Sequence, residues 1–247
     1  MGRYLGNVGI GENIGLFYSM QGIVSIFMPA LMGIVADRWI PAQRLLGLCH
    51  LVAGIFMFGT AFYGINAGTN VDFSIIFTLY SMSVAFYMPT IALANSVAYS
   101  ALTQSGMDTV KDFPPIRVFG TIGFILTMWL VDILGFQSNQ NQFITSSVVS
   151  VILFLYTFTL PNCEILKSNE KKSLVDALGL KAFSLFKQKK MAIFFIFSML
   201  LGVSLQITNS FANPFLFSFA AQPEFANAFG VQHANILISL SQISETC

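Results

Sequence analysis

The sequence predicts an all-α, polytopic membrane protein. The chain has 247 residues, of which 55% are hydrophobic and only 9% charged, and its apolar residues are grouped into about seven long runs. A soluble domain usually carries about 25% charged residues, so this chain has too few polar side chains to cover a water-exposed surface. The alternation of apolar and polar residues that a transmembrane β-barrel needs is absent. A bundle of membrane-spanning helices is therefore the predicted fold.

The apolar runs define the candidate spans. A helix needs roughly 20 mostly apolar residues to cross the hydrocarbon core. Residues 73–107 and 191–223 contain no charged side chain. Pro114 and Pro115 are expected to mark the start of one span, where a proline lacks only an N–H that would be unpaired anyway. The seven predicted spans are 14–37, 45–65, 73–101, 116–136, 143–160, 191–219 and 229–247.

Basic residues in the connecting loops predict the orientation of the chain. Loops with Lys or Arg alternate with loops without them: Arg38 and Arg44 follow the first span, Lys111 precedes the fourth, and seven lysines lie within 161–190. By the positive-inside rule these loops are cytoplasmic. The first span then starts outside, although residues 1–13 show no signal-peptide pattern. We therefore expect the sequence to be a fragment of a longer chain, cut at both ends.

The longest polar loop divides the chain. We expect an N-terminal bundle over 1–161 that lacks its first helix, a cytoplasmic linker over 162–190, and the start of a second bundle over 191–247. Apolar residues recur in the linker at roughly helical spacing among lysines, which predicts an amphipathic helix on the inner membrane surface. A flexible basic linker is the alternative. The apolar residues concerned are Leu174, Leu178, Phe183, Leu185 and Phe186.

Ionisable residues within spans are the first candidates for function, because each costs roughly 2.5–3.5 kcal/mol at the bilayer centre on insertion scales. Arg117 is followed by Thr121 and Phe124 at i+4 and i+7. One helix face therefore presents a cation, a hydroxyl group and an aromatic ring. The alternative is that Arg117 snorkels to the cytoplasmic interface beside Lys111.

Two further spans carry a polar patch on one side. Gln206 and Asn209 lie at i and i+3 in the middle of 191–219, where amides either bind a ligand or join helices. Gln242 and Glu245 have the same spacing near the end of the sequence. A Glu that gains and loses a proton as its surroundings change suits proton coupling, whereas an extracellular loop is the alternative. Together, the three patches could line one cavity at membrane depth.

The remaining polar residues are expected to have structural roles. Asp132, near the outer end of its helix, is interpreted as a solvated carboxylate at the interface, and His50 and His233 as packing residues. The net charge of +1 lacks the basic footprint of a nucleic-acid-binding protein. No HExxH or other catalytic arrangement shares a span, so we expect neither an enzyme nor a cofactor. The cysteines are too scattered to suggest a metal site or a disulfide framework, being Cys49, Cys163 and Cys247.

Several sequence motifs are similar to those of known transporters. Gly33-x-x-x-Asp37-Arg38 resembles the first half of the loop signature of the major facilitator superfamily. The second half is degenerate, and only Arg44 remains of its basic cluster. Longer stretches resemble the nucleoside:proton symporter family over nearly the whole chain. These are FMPALMGIVADRW (27–39), DFPPIRVFGTIGF (112–124), KKMAIFFIFSMLLG (189–202), LQITN (205–209) and SQISET (241–246).

The resemblance implies a fold of twelve helices in two bundles, of which this chain would contain helices two to seven and most of eight. It implies nucleoside uptake by proton symport across the cytoplasmic membrane, by alternating access and as a monomer when complete. A further acidic residue is expected in a later helix. The implied substrate-binding residues are Arg117, Thr121, Phe124, Gln206, Asn209, Gln242 and Glu245, with Glu245 as the proton-coupling candidate and Gly33, Asp37 and Arg38 in a conformational loop.

Two alternatives to a working transporter remain. A seven-helix receptor fits seven spans with an outside start, although it leaves the family-like stretches unexplained. A retinal protein is excluded because it needs a lysine in its last helix, and 229–247 contains none. The second alternative is a non-functional fragment of a transporter.

Overall fold

The computed structural model of the protein is helical throughout the part of the chain that it describes. It describes the backbone of residues 1–163 and 180–246, and their side chains except those of 180–183, 245 and 246. The prediction of an all-α fold is confirmed. The α-helices, numbered α1 to α9 in chain order, are Gly2–Asn7, Ile14–Arg38, Ala42–Ala67, Phe73–Gln104, Thr109–Ile133, Asn141–Tyr156, Lys189–Ser218, Phe229–Gln232 and Ala234–Thr246.

Six helical segments of the described residues are long and apolar enough to cross a membrane, and they coincide with the first six predicted spans. The seventh predicted span, 229–247, contains a break that the sequence did not indicate. Residues 229–246 form the helices α8 and α9, which are separated at His233. The six segments are Gly11–Arg38, Ala42–Ala67, Phe73–Gln104, Thr109–Ile133, Asn141–Thr159 and Lys189–Ala221.

Helix α5 begins earlier than the proline pair predicts. The carboxylate of Asp108 accepts hydrogen bonds from the N–H groups of Val110 (2.8 Å) and Lys111 (3.4 Å), so it caps a helix that starts at Thr109. A side-chain acceptor at this position satisfies N–H groups that have no partner within the helix. Pro114 and Pro115 therefore lie in the second turn rather than at the start.

The linker is described only in part. Leu180–Lys187 forms a 3₁₀ helix that leads into α7. The rest of the predicted amphipathic helix, including Leu174 and Leu178, lies outside the described residues.

Helices α2, α3, α4 and α6 form the first bundle. Helix α3 packs against α4 and α6, and α4 packs against α2. Small residues bring α3 and α6 close together: Ser147 Oγ donates to the carbonyl of Gly54 (2.9 Å), and Thr157 lies directly on Gly47. Lipid gives apolar helices no hydrophobic reason to associate, so close packing and interhelical hydrogen bonds hold such bundles together.

Helices α5, α7 and α9 lie beside this bundle. Helix α9 packs against both α5 and α7, and the short α1 packs against α7. Because the three predicted polar patches are on α5, α7 and α9, this arrangement makes the helices that carry them neighbours.

The close approach of α3 and α6 predicts a stability difference between two glycine substitutions. A Cβ at Gly47 would collide with the Thr157 hydroxyl and lie 3.3 Å from Phe154 Cδ2, whereas at Gly202 it would meet nothing within 4 Å. We expect Gly47→Ala to destabilise the detergent-solubilised protein by about 1–3 kcal/mol, as overpacking does. Gly202→Ala should leave stability unchanged or raise it slightly, because Ala favours helix. Thermal unfolding curves of the two variants would contradict this packing if their midpoints were equal.

Candidate functional site

Arg117 points along α5 toward the middle of the membrane. A Cβ at Gly120 would lie 2.6 Å from Arg117 Nη1, so the guanidinium group covers this glycine, one turn further along the helix. Because the basic loops place the start of α5 at the cytoplasmic side, a snorkelling side chain would turn the opposite way. The conformation matches the binding interpretation of Arg117, in which Thr121 and Phe124 continue the same face. Phe124 is 49% exposed.

Gln206 on α7 is connected to the first bundle. Its Nε2 donates to Gln21 Oε1 on α2 (3.2 Å) and to Ser210 Oγ (3.1 Å). Gln21 Nε2 in turn donates to Tyr80 Oη on α4 (2.8 Å). Sequence reasoning missed Gln21, and the available signal was a single amide in an otherwise apolar span. Asn209, one turn along α7 from Gln206, is exposed.

A hydrogen bond connects α9 to α5 near the outer ends of both helices. Trp129 Nε1 donates to Ser239 Oγ at 2.8 Å, and Ser239 is completely buried in this contact. Gln242 is half-buried one turn deeper. Glu245 belongs to α9 by its backbone, but its side chain lies outside the described residues.

Asp132 is not the solvated carboxylate that the sequence suggested. Its side chain is fully buried, its Oδ1 lies 2.7 Å from His233 Nδ1, and its Oδ2 accepts the N–H of Asn235 at 3.1 Å. The physical reason is the start of α9, where N–H groups without helical partners and the positive end of the helix dipole attract an anion. His233, expected as a packing residue, instead binds Asp132 and keeps 43% of its side chain exposed.

A second set of polar contacts continues from α9. Arg3 Nε donates to Asn213 Oδ1 on α7 (2.8 Å), and Arg3 Nη2 donates to the carbonyl of Val231 (2.7 Å). Asn213 Nδ2 donates to Gln137 Oε1 (3.0 Å) and to Asn235 Oδ1. Together with the contacts of Asp132, these residues form one group, which the basic loops place at the extracytoplasmic side. We call this group the outer cluster. It comprises Arg3, Asp132, Gln137, Asn213, His233 and Asn235.

Charge is balanced within the outer cluster. Burial lowers the pKa of the Arg3 guanidinium, and the negative charge of Asp132 acts in the opposite direction. The guanidinium also lies 4.4 Å from the centre of the Phe217 ring, a cation–π contact. The cluster was not predicted. The signal for it was Arg3 itself, the only basic residue in the segments that the positive-inside rule assigns to the outside.

The conformational-loop residues lie at the inner end of α2. Asp37 and Arg38 are exposed, and the chain turns after Arg38 into α3. A Cβ at Gly33 would meet nothing within 4 Å, so no described part of the chain packs closely on this glycine. Within the described residues no group of three or more side chains is placed to bind a metal ion.

Long apolar helices, with polar patches on three neighbouring helices, define a multi-pass membrane protein. A family model described as nucleoside H⁺ symporter matches residues 1–247, and the chain belongs to this family. The resemblance to nucleoside:proton symporters is therefore confirmed. Membership of this family leaves the seven-helix receptor without support.

Relatives with known names match the chain almost throughout. Nucleoside permease NupG of Escherichia coli K12 is 48% identical over 236 residues, covering 96% of this chain and 55% of NupG. Xanthosine permease of the same organism is 48% identical over 235 residues, covering 95% of this chain and 54% of the permease. The chain thus spans about half the length of the curated relatives that it matches.

The fold agrees with a solved structure. A crystal structure of a mutant of the nucleoside transporter NupG superposes with a TM-score of 0.86 at 46% identity, covering 99% of this chain and 60% of that one. The prediction that the chain has part of a major facilitator fold is confirmed.

The exposed face of α5 predicts the reactivity of introduced cysteines. In a background with the native cysteines replaced, we expect Phe124→Cys to react with a water-soluble thiol reagent, as it would if this exposed face lined an aqueous path. Ile125→Cys, next to it but 8% exposed, should remain unreactive. Mass spectrometry after labelling in membrane vesicles measures both. An unreactive Phe124→Cys would mean that this face is covered by lipid or protein.

Proposed function

We propose that this protein takes up nucleosides across the cytoplasmic membrane by proton symport and alternating access, without catalysing a reaction. The observation that carries the proposal is the packing of α9 against α5 and α7. It makes neighbours of the three helices with one-sided polar patches, as a binding site between helices requires. The named relatives are permeases for nucleosides and for xanthosine.

The proposed substrate contacts follow from the chemistry of a nucleoside. Its base has a flat apolar face, and its base edge and ribose carry hydrogen-bonding groups that cannot be buried unpaired without cost. Phe124 offers a ring for stacking. Thr121, Gln206, Asn209 and Gln242 offer hydroxyl and amide groups for the polar atoms.

Proton coupling is proposed to use Glu245. A carboxyl group in a membrane helix binds a proton when it is dry and releases the proton when it is hydrated or paired with a cation. Arg117 is the proposed cation, because its guanidinium covers Gly120, one turn further along α5 from the start of the helix. Substrate binding that separates Arg117 from Glu245 would favour proton uptake, which links the two solutes.

The other proposed properties concern the whole protein. Gly33, Asp37 and Arg38 would form a conformational loop at the inner end of α2, where they are accessible to a second bundle. We propose an inner-membrane location in contact with lipid, a boundary between bundles at 162–190, and a functional monomer. A non-functional fragment is the competing hypothesis.

Uptake assays separate the transporter from the non-functional fragment. Cells without endogenous nucleoside uptake would express the chain alone or joined in frame to the segments of NupG that it does not match. We expect the joined protein to accumulate radiolabelled nucleoside and to stop when a protonophore removes the proton gradient. Accumulation that is insensitive to the protonophore would argue against symport, and none at all would favour the fragment hypothesis.

The placement of Arg117 over Gly120 predicts the effect of three substitutions. Arg117→Ala should weaken nucleoside binding to the same joined protein more than tenfold, about 1.4 kcal/mol. Gly120→Val should do nearly the same, because its side chain would occupy the space that the guanidinium uses. Gly123→Val, where a Cβ would meet nothing within 4 Å, is the matched control and should bind normally. Equilibrium binding of nucleoside to the purified proteins measures these affinities. An unchanged affinity in Arg117→Ala would mean that Arg117 snorkels to the interface and does not contact the substrate.

The proposed role of Glu245 predicts that one substitution will abolish proton-driven accumulation of nucleoside without abolishing nucleoside exchange. Glu245→Gln keeps the size and hydrogen-bonding capacity of the side chain but cannot exchange a proton. In the joined protein we expect proton-driven accumulation to be lost while nucleoside exchange across the membrane persists. Counterflow assays measure exchange without a proton gradient. Full pH-dependent accumulation by this variant would falsify the assignment.

A further inference from the structure

The outer cluster joins parts of the chain that must separate if the protein opens outward. Asp132 lies near the end of α5, in the half of the chain before the linker, whereas His233 and Asn235 lie at the start of α9, in the half after it. Arg3, in α1, is bound to Asn213 on α7. The two halves are thus joined in the cluster by the contacts of Asp132 with His233 and Asn235 and by the hydrogen bonds of Arg3 and Gln137 to Asn213.

Because these groups are buried, the contact between α5 and α9 is expected to be either fully formed or fully separated. Asp132 and Arg3 are 4% and 8% exposed, and a buried charge that loses its partner without gaining water is strongly unfavourable. If α9 moves away from α5, the Asp132 carboxylate must exchange His233 and Asn235 for water. The start of α9 at the same moment loses the anion that satisfies its N–H group. A partly separated state is therefore disfavoured.

We propose that the outer cluster is the outer gate of the transport path, with Asp132 as the positioning residue that holds α9 against α5 when the outside is closed. This inference rests on the proposed function, since a gate has meaning only in a protein that alternates between two openings. The hydrogen bond from Trp129 to Ser239 lies one turn deeper along both helices, and Ser239 is completely buried. A closed gate is therefore expected to shield Ser239 from the outside.

A second aspartate provides a matched control. Asp72 accepts hydrogen bonds from the N–H groups of Ser74 (2.8 Å) and Ile75 (3.2 Å), so it caps α4 at the same side of the membrane. Each of the two carboxylates accepts a hydrogen bond from a backbone N–H group at the start of a helix. Only Asp132 does so between two different halves of the chain, so the gate depends on Asp132 and not on Asp72.

The test measures access to Ser239 from outside. The protein joined to the NupG segments that it does not match, with native cysteines replaced and Ser239→Cys introduced, is expressed in bacterial cells whose outer membrane has been made permeable. A maleimide that does not cross the inner membrane is then added. We expect Asp132→Ala to raise the labelling rate at least tenfold, Asp132→Glu to restore much of the protection, and Asp72→Ala to change nothing. Ser83→Cys, at a position 1% exposed within the first bundle, reports general loosening and should stay unlabelled.

The outcomes decide the inference independently of transport. Equal labelling of the Asp132→Ala and Asp72→Ala proteins would overturn the gate, and so would labelling of Ser83→Cys together with Ser239→Cys, which indicates unfolding. If Asp132→Ala does not fold, Asn213→Ala breaks the link between Arg3 and Asn235 with the carboxylate in place, and the same rise is expected. A protein that shows the rise but moves no nucleoside would refute the proposed function and leave the outer cluster only as a contact that holds α9 against α5.

Discussion

The position of α9 is the constraint on which the candidate site depends. This helix packs against both α5 and α7, which carry the other two polar patches. Its start is fixed by the Asp132 carboxylate and its next turn by the hydrogen bond from Trp129 to Ser239. Gln242 and the backbone of Glu245 follow on the same helix, so their approach to α5 is set by contacts made further out. The proposed chemistry in mid-membrane thus rests on polar contacts at the outer surface.

The same constraint links the outer cluster to the exposed patches. At the outer ends the two halves meet through buried hydrogen bonds, whereas Arg117 and Phe124 on α5 and Gln206 on α7 are exposed. A structure held together at one end and accessible along its polar helix faces has the geometry that alternating access needs on one side of its cycle. Opening the outer end would require new contacts elsewhere to replace those that are lost. The exposed Asp37 and Arg38, at the inner end of α2, are placed where such contacts could form.

Hydropathy predicted the spans because the bilayer requires an apolar stretch of sufficient length in each spanning helix, whatever its neighbours are. Six spans could be read from apolar length alone, since each depends on a single stretch of chain. The misjudged features depend on partners distant in sequence. Asp132 was assigned to the interface because its partners His233 and Asn235 are about 100 residues away, and the break at His233 was missed because His233 meets Asp132 only in the fold. Gln21 was missed for the same reason, as its amide meets Gln206 only in the fold.

Three charged residues illustrate how differently a membrane protein can tolerate charge. Asp132 is held by His233 and by the start of α9, so replacing it would leave buried groups without partners. Arg117 is exposed beside Gly120, which leaves room for its guanidinium, and it is the residue proposed to meet a substrate or a carboxylate. Glu245, without a basic residue on its own helix, depends on its surroundings for its charge. A residue that exchanges protons during transport must be of this last kind, because a carboxylate locked into structure cannot release its partners each cycle. The difference between Asp132 and Glu245 is therefore one of partners rather than of residue type, which explains why two acids in adjacent helices are assigned to gating and to proton coupling respectively.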